Sequence, residues 1–311
     1  MIDLSHFNSI VSLLNFFTSE EKCLKVLKEE RWKNGDVVCP HCGKHHCYTL
    51  KSGRYRCPEC GLTFSVLVGT IFENTKVSLI KWFAAMYLIS THRKGISSHQ
   101  LAKDIAVTQK TAWFMMHKIR TLLAQYDTPS LNGIVQCDEV YIGGRETNKH
   151  EYKKGKGTQG GAGKMPVFGM VEEMGRLVAI SVPNTTSETI LPIIGQFIEE
   201  GSTIYTDESS IYNNLGNMGY EHHCVKHSAK EFSKDGITTN SIEGFWGELK
   251  RSIFGIHHFV SEGYLQSYID ESVFRYNTRK EKASTIFHRL FSSAACGYVR
   301  YWDIAEWVKV A

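Results

Sequence analysis

The alternation of apolar and polar positions changes once along the chain, close to residue 130. Residues 1–35 and 75–126 have the pattern of helices, whereas from Asn132 onward short β-like runs alternate with helical stretches. Strands and helices arranged around one sheet indicate an α/β domain. Its strands are predicted at 134–142, 166–172, 177–182, 203–206 and, more weakly, 222–226, and its helices at 187–200, 240–254 and 262–275.

This pattern divides the chain into five segments. We predict an N-terminal helical segment over 1–35, in which Thr18 or Ser19 caps a helix across Glu20–Arg31. A cysteine-bearing, turn-rich module spans 36–70, and a helical region spans 75–126. The α/β domain spans 132–291, and a C-terminal tail spans 292–311. A chain of 311 residues has room for two or three domains of ordinary size.

One stretch inside the α/β domain has almost no apolar residues. Residues 143–164 hold seven glycines together with Lys153, Lys154, Lys156 and Lys164. Such a segment cannot bury a core, so it predicts a mobile loop between two strands. Two interpretations stay open: the lysines lie along a phosphate backbone, or the loop is a disordered surface segment. We favour the DNA contact because the loop adjoins the candidate carboxylate Asp138.

The net charge of +4 is unevenly distributed. Residues 1–130 carry 17 Lys and Arg against 10 Asp and Glu, whereas residues 131–311 carry 19 against 22. A basic front half suggests an anionic partner, for which nucleic acid is the commonest choice, although charge alone does not exclude a merely soluble surface. No apolar run is long enough for a transmembrane helix and no signal-peptide pattern is present, so we expect a cytoplasmic protein without a membrane partner.

Four of the nine cysteines form two CxxC pairs. Cys39 and Cys42 make the first pair, Cys57 and Cys60 make the second, and a glycine follows each pair. Two thiolates in one tight turn, with glycine allowing a positive φ after the second, form a zinc knuckle. The 14 residues between the pairs suffice for a hairpin that brings them together. We therefore predict one structural Zn²⁺ held by four cysteines. The neighbouring Arg54, Tyr55, Arg56 and Phe64 either touch DNA or pack the ribbon.

A helix-turn-helix pattern occupies residues 96–123. Ser97 or Ser98 caps the first helix, Val107 lies in the turn and Thr108 caps the second helix. In DNA-binding helix pairs the second helix meets base edges with its N-terminal residues. The candidate DNA contacts are Gln109, Lys110 and Thr111 at that terminus, with Lys118 and Arg120 reaching phosphate. An ordinary helical hairpin is the competing interpretation.

Three carboxylates are candidates for a metal centre. Asp138 lies inside an otherwise apolar strand, where an unpaired carboxylate is costly to bury, and Asp207 comes directly after another strand. Glu243 lies on a predicted helix and shares one face of it with Asn240 and Lys250. Three carboxylates can hold two divalent cations that activate a nucleophile and stabilise the leaving oxygen of a phosphate. All-oxygen ligation suits Mg²⁺ or Mn²⁺.

The assignment of these acids leaves alternatives open. Glu139 and Glu208 each neighbour a proposed ligand, so the register is uncertain by one residue. The strand alternation favours Asp138 on the same face as Gln136 and Val140. Asp270 and Glu271 are spare ligands on a later helix if Glu243 is not one.

Taken together, the motifs resemble those of a known family. They are Cys-Asp138-Glu-Val-Tyr-Ile-Gly-Gly, Tyr-Thr-Asp207-Glu, and Thr-Asn240-Ser-Ile-Glu243-Gly-Phe-Trp followed by Leu-Lys250-Arg. Together with His257-His258-Phe-Val-Ser and the segment 271–279, they are similar to insertion-sequence DDE transposases with an N-terminal zinc ribbon, the ISXO-two-like family. The resemblance extends from about Ser19 to Phe291.

The resemblance implies a ribonuclease-H-like catalytic domain behind the zinc ribbon and the helix-turn-helix region. It implies that Asp138, Asp207 and Glu243 form the metal-binding triad and that Lys250 is the basic residue two turns further on. Some relatives have Asn as the third ligand, so Asn240 remains an alternative to Glu243.

The expected activity is that of a transposase that binds terminal inverted repeats and cleaves and transfers DNA strands. The expected partners are double-stranded DNA of transposon ends and target, and further copies in a homodimer or larger synaptic assembly. The expected location is the bacterial cytoplasm, in association with the nucleoid.

Two other functions remain open from the residues. A ribonuclease-H-like nuclease that cuts without joining would use the same metals, but a structure-specific nuclease needs no recognition helix. An inactive DNA-binding regulator would lack a complete acid set, whereas this chain has Asp138, Asp207, Glu243 and Lys250.

Overall fold

The computed structural model describes residues 7–124, 130–143, 163–225 and 238–299, together with Leu4 and Ile304. The chain divides into two compact units, and the boundaries between them fall after residues 123 and 279. Residues 280–304 belong with the N-terminal unit, because helix α9 (Ala283–Cys296) packs against helices of that unit. The sequence-based domain boundary at 291 therefore falls inside α9.

The first unit is built around helix α3 (Leu79–Thr91). Helices α1 (Ile10–Phe16), α2 (Glu20–Arg31) and α9 pack against it. Phe83 of α3 is fully buried, and its ring meets Phe17, Phe72 and Phe291 with centroid distances of 4.8 to 5.9 Å. Ser19 caps α2 by accepting a hydrogen bond from the backbone of Lys22. Of the two caps considered for α2, Ser19 is therefore the one used.

A small sheet follows α2 in the first unit. Within the described residues it has three short antiparallel strands, β1 (Tyr48–Thr49), β2 (Tyr55–Arg56) and β3 (Thr63–Phe64). Tyr55 and Phe64 are buried, and the Tyr55 ring lies 5.0 Å from that of Trp32. These two aromatics therefore pack the module, which agrees with the interpretation that they stabilise the ribbon.

Helices α4 (Ser98–Asp104) and α5 (Gln109–Ala124) form the predicted helix pair of the first unit. Ser97 caps α4 through the backbone amide of Gln100, and the Thr108 hydroxyl accepts from the amide of Thr111 at the start of α5. Ala106 between them has a φ of 49°. A residue with left-handed backbone conformation turns the chain sharply, so Ala106 accounts for the short connection between α4 and α5.

The second unit contains the larger sheet. Within the described residues its strands are β4 (Ile134–Ile142), β5 (Met165–Glu172), β6 (Leu177–Ser181), β7 (Thr203–Thr206) and β8 (Glu221–Cys224). They lie in the order β6-β5-β4-β7-β8. Strands β4, β5 and β6 form an antiparallel meander, and β7 and β8 run parallel to β4. All five predicted strands are present, and β4 has the bounds that were predicted.

Helices cover both faces of this sheet. On one face lies α6 (Ser187–Phe197), followed later in the chain by the 3₁₀ turns Ser210–Tyr212 and Gly216–Met218. On the other face lie α7 (Asn240–Ser252), the π-helical turn Ile253–His257 and α8 (Glu262–Asn277). Each face has its own hydrophobic core, which explains why β4 has apolar side chains on both faces, Val135 and Cys137 on one and Val140 and Ile142 on the other.

The outer edge of the sheet is closed by side chains of α8. Strand β6 is at the end of the strand order, so alternate backbone groups on it have no neighbouring strand. Gln266 accepts from the amide of Ser181 and donates to the carbonyl of Ala179, and Asn277 both accepts from and donates to Leu177. The two amide side chains therefore occupy backbone hydrogen-bonding groups of β6 that would otherwise be available to a strand of another chain. Among the described residues, no helix has the length and apolar character needed to cross a membrane.

Candidate functional site

Asp138 and Asp207 come together because β4 and β7 are parallel neighbours. Gln136 of β4 lies in register with Tyr205 of β7, so Asp138, two residues on, comes level with Asp207 just past the end of β7. One possible ligand atom from each of Asp138, Glu139 and Asp207 lies within 4.8 Å of the others. Among the described residues this is the only carboxylate cluster with such spacing.

Asp138 faces α7. Its Oδ2 accepts a hydrogen bond of 2.9 Å from the indole Nε1 of Trp246. Asp138 therefore shares the face of Gln136 and Val140, as the strand alternation favoured. Opposite Asp138 on β5 stands Gly169, and a Cβ at that position would lie 2.5 Å from the Trp246 ring. The glycine thus makes room for the ring that holds the carboxylate.

Glu139 points to the opposite face of β4, where Tyr212 donates its hydroxyl to Glu139 Oε1. Tyr212 is fully buried in the core under α6, so its ring is fixed by packing. Sequence analysis noted Glu139 only as a possible register error beside Asp138. The structure instead brings both acids to the same place, because Asp138 and Glu139, in the middle of β4, lie level with the point where β7 ends and Asp207 follows.

The local environment shifts the pKa values of both β4 acids upward. Burial raises the pKa of Asp138 to about 6, and the negative charges of Asp207 and Glu243 add to this, while hydrogen bonds from the Glu139 backbone and Trp246 act against it. Burial likewise raises the pKa of Glu139 to about 7, with Asp207 and Asp138 adding to the rise and the Tyr212 hydrogen bond opposing it. A divalent cation would offset this repulsion, and carboxylate oxygens are the donors that Mg²⁺ and Mn²⁺ accept. The residues present therefore fit such an ion.

The third predicted acid, Glu243, lies on the first turn of α7 and is exposed. Gln136 of β4 fixes this end of the helix, since its side-chain oxygen accepts from the backbone amides of Ser241 and Ile242 at 3.0 and 3.3 Å. Glu243 accepts from Thr239 and is close enough for its charge to act on Asp138, but it is not within the 4.8 Å cluster. Asn240 and Lys250 are also exposed on α7.

The four predicted zinc ligands converge in the small sheet. Their sulfur atoms all lie within 4.8 Å of one another, with Cys39 and Cys60 at 3.7 Å and Cys42 and Cys57 at 3.5 Å. Gly43 and Gly61 have φ values of 73° and 70°, as the knuckle pattern predicted. In each knuckle the glycine amide donates to the carbonyl of the first cysteine. Four thiols on two such turns fit a tetrahedral Zn²⁺.

The predicted DNA contacts of the helix pair separate into two groups. Gln109 and Lys110 are exposed and Thr111 is half-buried at the start of α5. Lys118 and Arg120, which were predicted to reach phosphate, are instead buried, and the ammonium of Lys118 donates to the carbonyl of Ile71 at 2.8 Å. This part of α5 is buried around most of its circumference, since every residue from Met115 to Arg120 is buried, so the prediction that Lys118 and Arg120 reach phosphate was wrong. Lys153, Lys154 and Lys156 lie outside the described residues.

Two family matches cover most of the chain. Residues 130–277 match the family described as ISXO2-like transposase domain, and residues 18–63 match the transposase zinc-ribbon domain. The first match contains the five-stranded sheet and α7, and the second contains all four cysteines of the cluster. The region that follows the second match, with α3, α4 and α5, belongs to neither.

Two proteins of similar sequence are described as part of a transposable element or as transposase-like. The chain is 30% identical over 269 residues to a protein in transposable element ISH50 of Halobacterium salinarum, covering 81% of this chain and 89% of the relative. It is 29% identical over 108 residues to a transposase-like protein of Haemophilus influenzae, covering 35% of this chain and 86% of that protein. A solved structure, the Mos1 strand transfer complex, is 12% identical with a TM-score of 0.24 and covers 70% of this chain and 79% of that one. A TM-score this low does not establish a shared fold.

Proposed function

Because this chain belongs to the ISXO2-like transposase family with an N-terminal zinc ribbon, we propose that it binds the terminal inverted repeats of an insertion sequence and catalyses metal-dependent cleavage and transfer of DNA strands. The convergence of Asp138 and Asp207 from two parallel strands carries this proposal. It fits phosphoryl transfer, in which carboxylates hold divalent ions beside the reacting phosphate.

The topology of the second unit supports a ribonuclease-H-like catalytic core. An antiparallel meander of three strands continues into two strands parallel to the first, and α7 then crosses the face from which Asp138 projects. In such an arrangement the acids of the first and fourth strands meet at one end of the sheet. A helix after the fifth strand can then bring a third acid to them.

Each candidate residue has a task in this proposal. Asp138, Asp207 and Glu243 hold two Mg²⁺ or Mn²⁺ ions, with Asn240 as the alternative third ligand. The ions, when bound, polarise the phosphate and favour deprotonation of the attacking hydroxyl or water. Glu243 lies outside the tight cluster and is exposed on α7, so in this proposal its carboxylate turns toward the ion when the ion binds. Lys250, two turns further along the exposed side of α7, contacts the DNA backbone as a point charge.

DNA recognition belongs to the first unit in this proposal. Gln109, Lys110 and Thr111 at the start of α5 meet base edges, since a recognition helix enters the major groove with its N-terminal residues. The four cysteines hold one structural Zn²⁺, which keeps the ribbon folded. Lys153, Lys154 and Lys156 add phosphate contacts. Both ends of an element must be held together for transposition, so the active form is a homodimer or a larger assembly on double-stranded DNA, in the bacterial cytoplasm and on the nucleoid.

Alanine substitution of the two strand aspartates tests the proposed chemistry. We expect Asp138→Ala and Asp207→Ala each to slow cleavage of a labelled element end by at least about a hundredfold, the scale of losing one electrostatic contact in a transition state. Binding of the same DNA, measured by fluorescence anisotropy, should survive. Glu208→Ala is the matched control, because Glu208 adjoins Asp207 but lies outside the cluster. Normal cleavage by either aspartate variant would contradict the proposed active site.

A further inference from the structure

We propose that Glu139 is a fourth acid of the divalent-metal centre, supplying a carboxylate oxygen alongside Asp138 and Asp207, and that Tyr212 is the residue that positions it. This inference rests on the proposed function, since it concerns the same ions. It adds an acid from the opposite face of β4 to the three acids that the sequence motifs point to.

Geometry separates Glu139 from the other acids near the site. A ligand atom of Glu139 lies within 4.8 Å of ligand atoms of both Asp138 and Asp207, a distance that one bound cation can span. Glu208 serves as a comparison, because it follows Asp207 directly in the sequence, as Glu139 follows Asp138. It is nevertheless not in the cluster. Proximity in sequence to a ligand therefore does not explain the position of Glu139.

The Tyr212 contact leaves Glu139 free to bind an ion. Tyr212 donates to Oε1, and a carboxylate has a second oxygen with its own lone pairs. Tyr212 is fully buried in the core on this face of the sheet, so packing fixes the position of its hydroxyl. Metal-binding carboxylates are commonly oriented by a hydrogen bond of this kind, and losing such a partner typically costs about 10- to 100-fold in metal affinity.

Titration of the zinc-loaded full chain with Mn²⁺ alone, without DNA, tests the inference by calorimetry and by the electron paramagnetic resonance of bound Mn²⁺. We expect Glu139→Gln to weaken Mn²⁺ binding by at least about tenfold. Tyr212→Phe keeps the carboxylate but removes its hydrogen bond, and we expect a loss of about tenfold, at the lower end of that range. Glu208→Gln removes the same charge beside Asp207 and should bind Mn²⁺ like the unmodified chain.

The outcomes separate this inference from the proposed function. If Asp138→Asn weakens Mn²⁺ binding while Glu139→Gln binds it like the unmodified chain, Glu139 is not a ligand and the metal centre stands without it. If Asp138→Asn also leaves binding unchanged, the proposed metal centre itself fails. Should Glu139→Gln not fold, Tyr212→Phe decides: reduced affinity supports the positioning role, and unchanged affinity overturns it.

Discussion

Asp270 is a buried carboxyl group that lies outside the metal-binding clusters of the described residues. It lies on α8, and Gln266 donates to its Oδ1 at 2.7 Å. Its Oδ2 is buried, and among the described residues no donor reaches that atom. Burial raises the pKa of Asp270 to about 7, against the lowering effect of the Gln266 hydrogen bond. Asp270, which the sequence offered as a spare metal ligand, is absent from the described metal-binding clusters and is better explained as a protonated acid.

The raised pKa predicts a pH-dependent loss of stability. The folded chain keeps the Asp270 proton until about pH 7, whereas an ordinary Asp loses it near 3.8. Unfolding therefore releases a proton between these values, and the free energy of unfolding falls as pH rises through this window. Asp270→Asn stays neutral and keeps an acceptor for Gln266. We expect this variant to gain stability relative to the unmodified chain between about pH 5.5 and about pH 8, on the order of a few kcal/mol.

Urea unfolding of both proteins at these two pH values measures the difference. An equal stability difference between the proteins at both pH values would show that Asp270 is already ionised in the fold. The comparison cancels the titration of all other groups that the two chains share.

Gly169 is the residue on which the position of Trp246 depends. A methyl group there would come within 2.5 Å of the indole ring and 3.0 Å of Ile242. We expect Gly169→Ala to destabilise the second unit by about 1–3 kcal/mol, as overpacked cores do, and to weaken the hydrogen bond to Asp138. Gly195→Ala on α6 is the control, because its Cβ would meet only Met218 at 3.7 Å and alanine favours a helix. Thermal unfolding of the two variants distinguishes them, and equal stability would contradict the packing argument.

At the scale of elements, local pattern was a good guide to the sheet. Strand β4 is predicted with its observed bounds, because its β-like pattern continues to Ile142 and two glycines follow it. Knuckle geometry also followed from the CxxC spacing, since two thiols and a glycine define a turn on their own. Caps such as Ser97 were found for the same reason.

The predictions that failed depended on contacts distant in sequence. Helix periodicity gives the position of Lys118 on α5 but not what packs against that position, so Lys118 is predicted to be exposed. The acceptor of its ammonium group, the carbonyl of Ile71, lies 47 residues away in the sequence. The sequence offers Glu139 only as an alternative to Asp138 in case the register is off by one, and the pairing of β4 with β7 is what shows that both acids reach Asp207. The placement of α9 in the first unit likewise follows from pairings such as Phe83 with Phe291.

The zinc ribbon is the element whose stability we expect to depend on a bound ion. We expect Cys42→Ser to lose the ion and to unfold the three short strands, because these strands bury few side chains and binding free energy of a structural zinc is folding free energy. Cys47→Ser is the matched control, since Cys47 is near the ribbon but is not one of the four clustered thiols. Atomic absorption of the purified variants gives the zinc content. Full zinc content in Cys42→Ser would contradict the four-cysteine site.

At the scale of the whole molecule, the two units divide the proposed tasks. The first unit contains the zinc ribbon and the helix pair α4 and α5, whose exposed terminus is the proposed DNA reader. The second contains the sheet and the carboxylate cluster. The excess of basic residues lies in residues 1–130, as expected if recognition of DNA belongs to the first unit.

The most direct test is strand cleavage and joining on a labelled duplex that carries the element's end, with Mg²⁺ or with EDTA, for the unmodified chain and for Glu243→Gln. We predict cleavage and then joining to a second duplex in Mg²⁺, and neither reaction in EDTA or in the variant. Cleavage without joining would contradict the transposase and indicate a nuclease. Tight binding without cleavage in Mg²⁺ or Mn²⁺ would contradict the catalytic function and indicate a DNA-binding regulator.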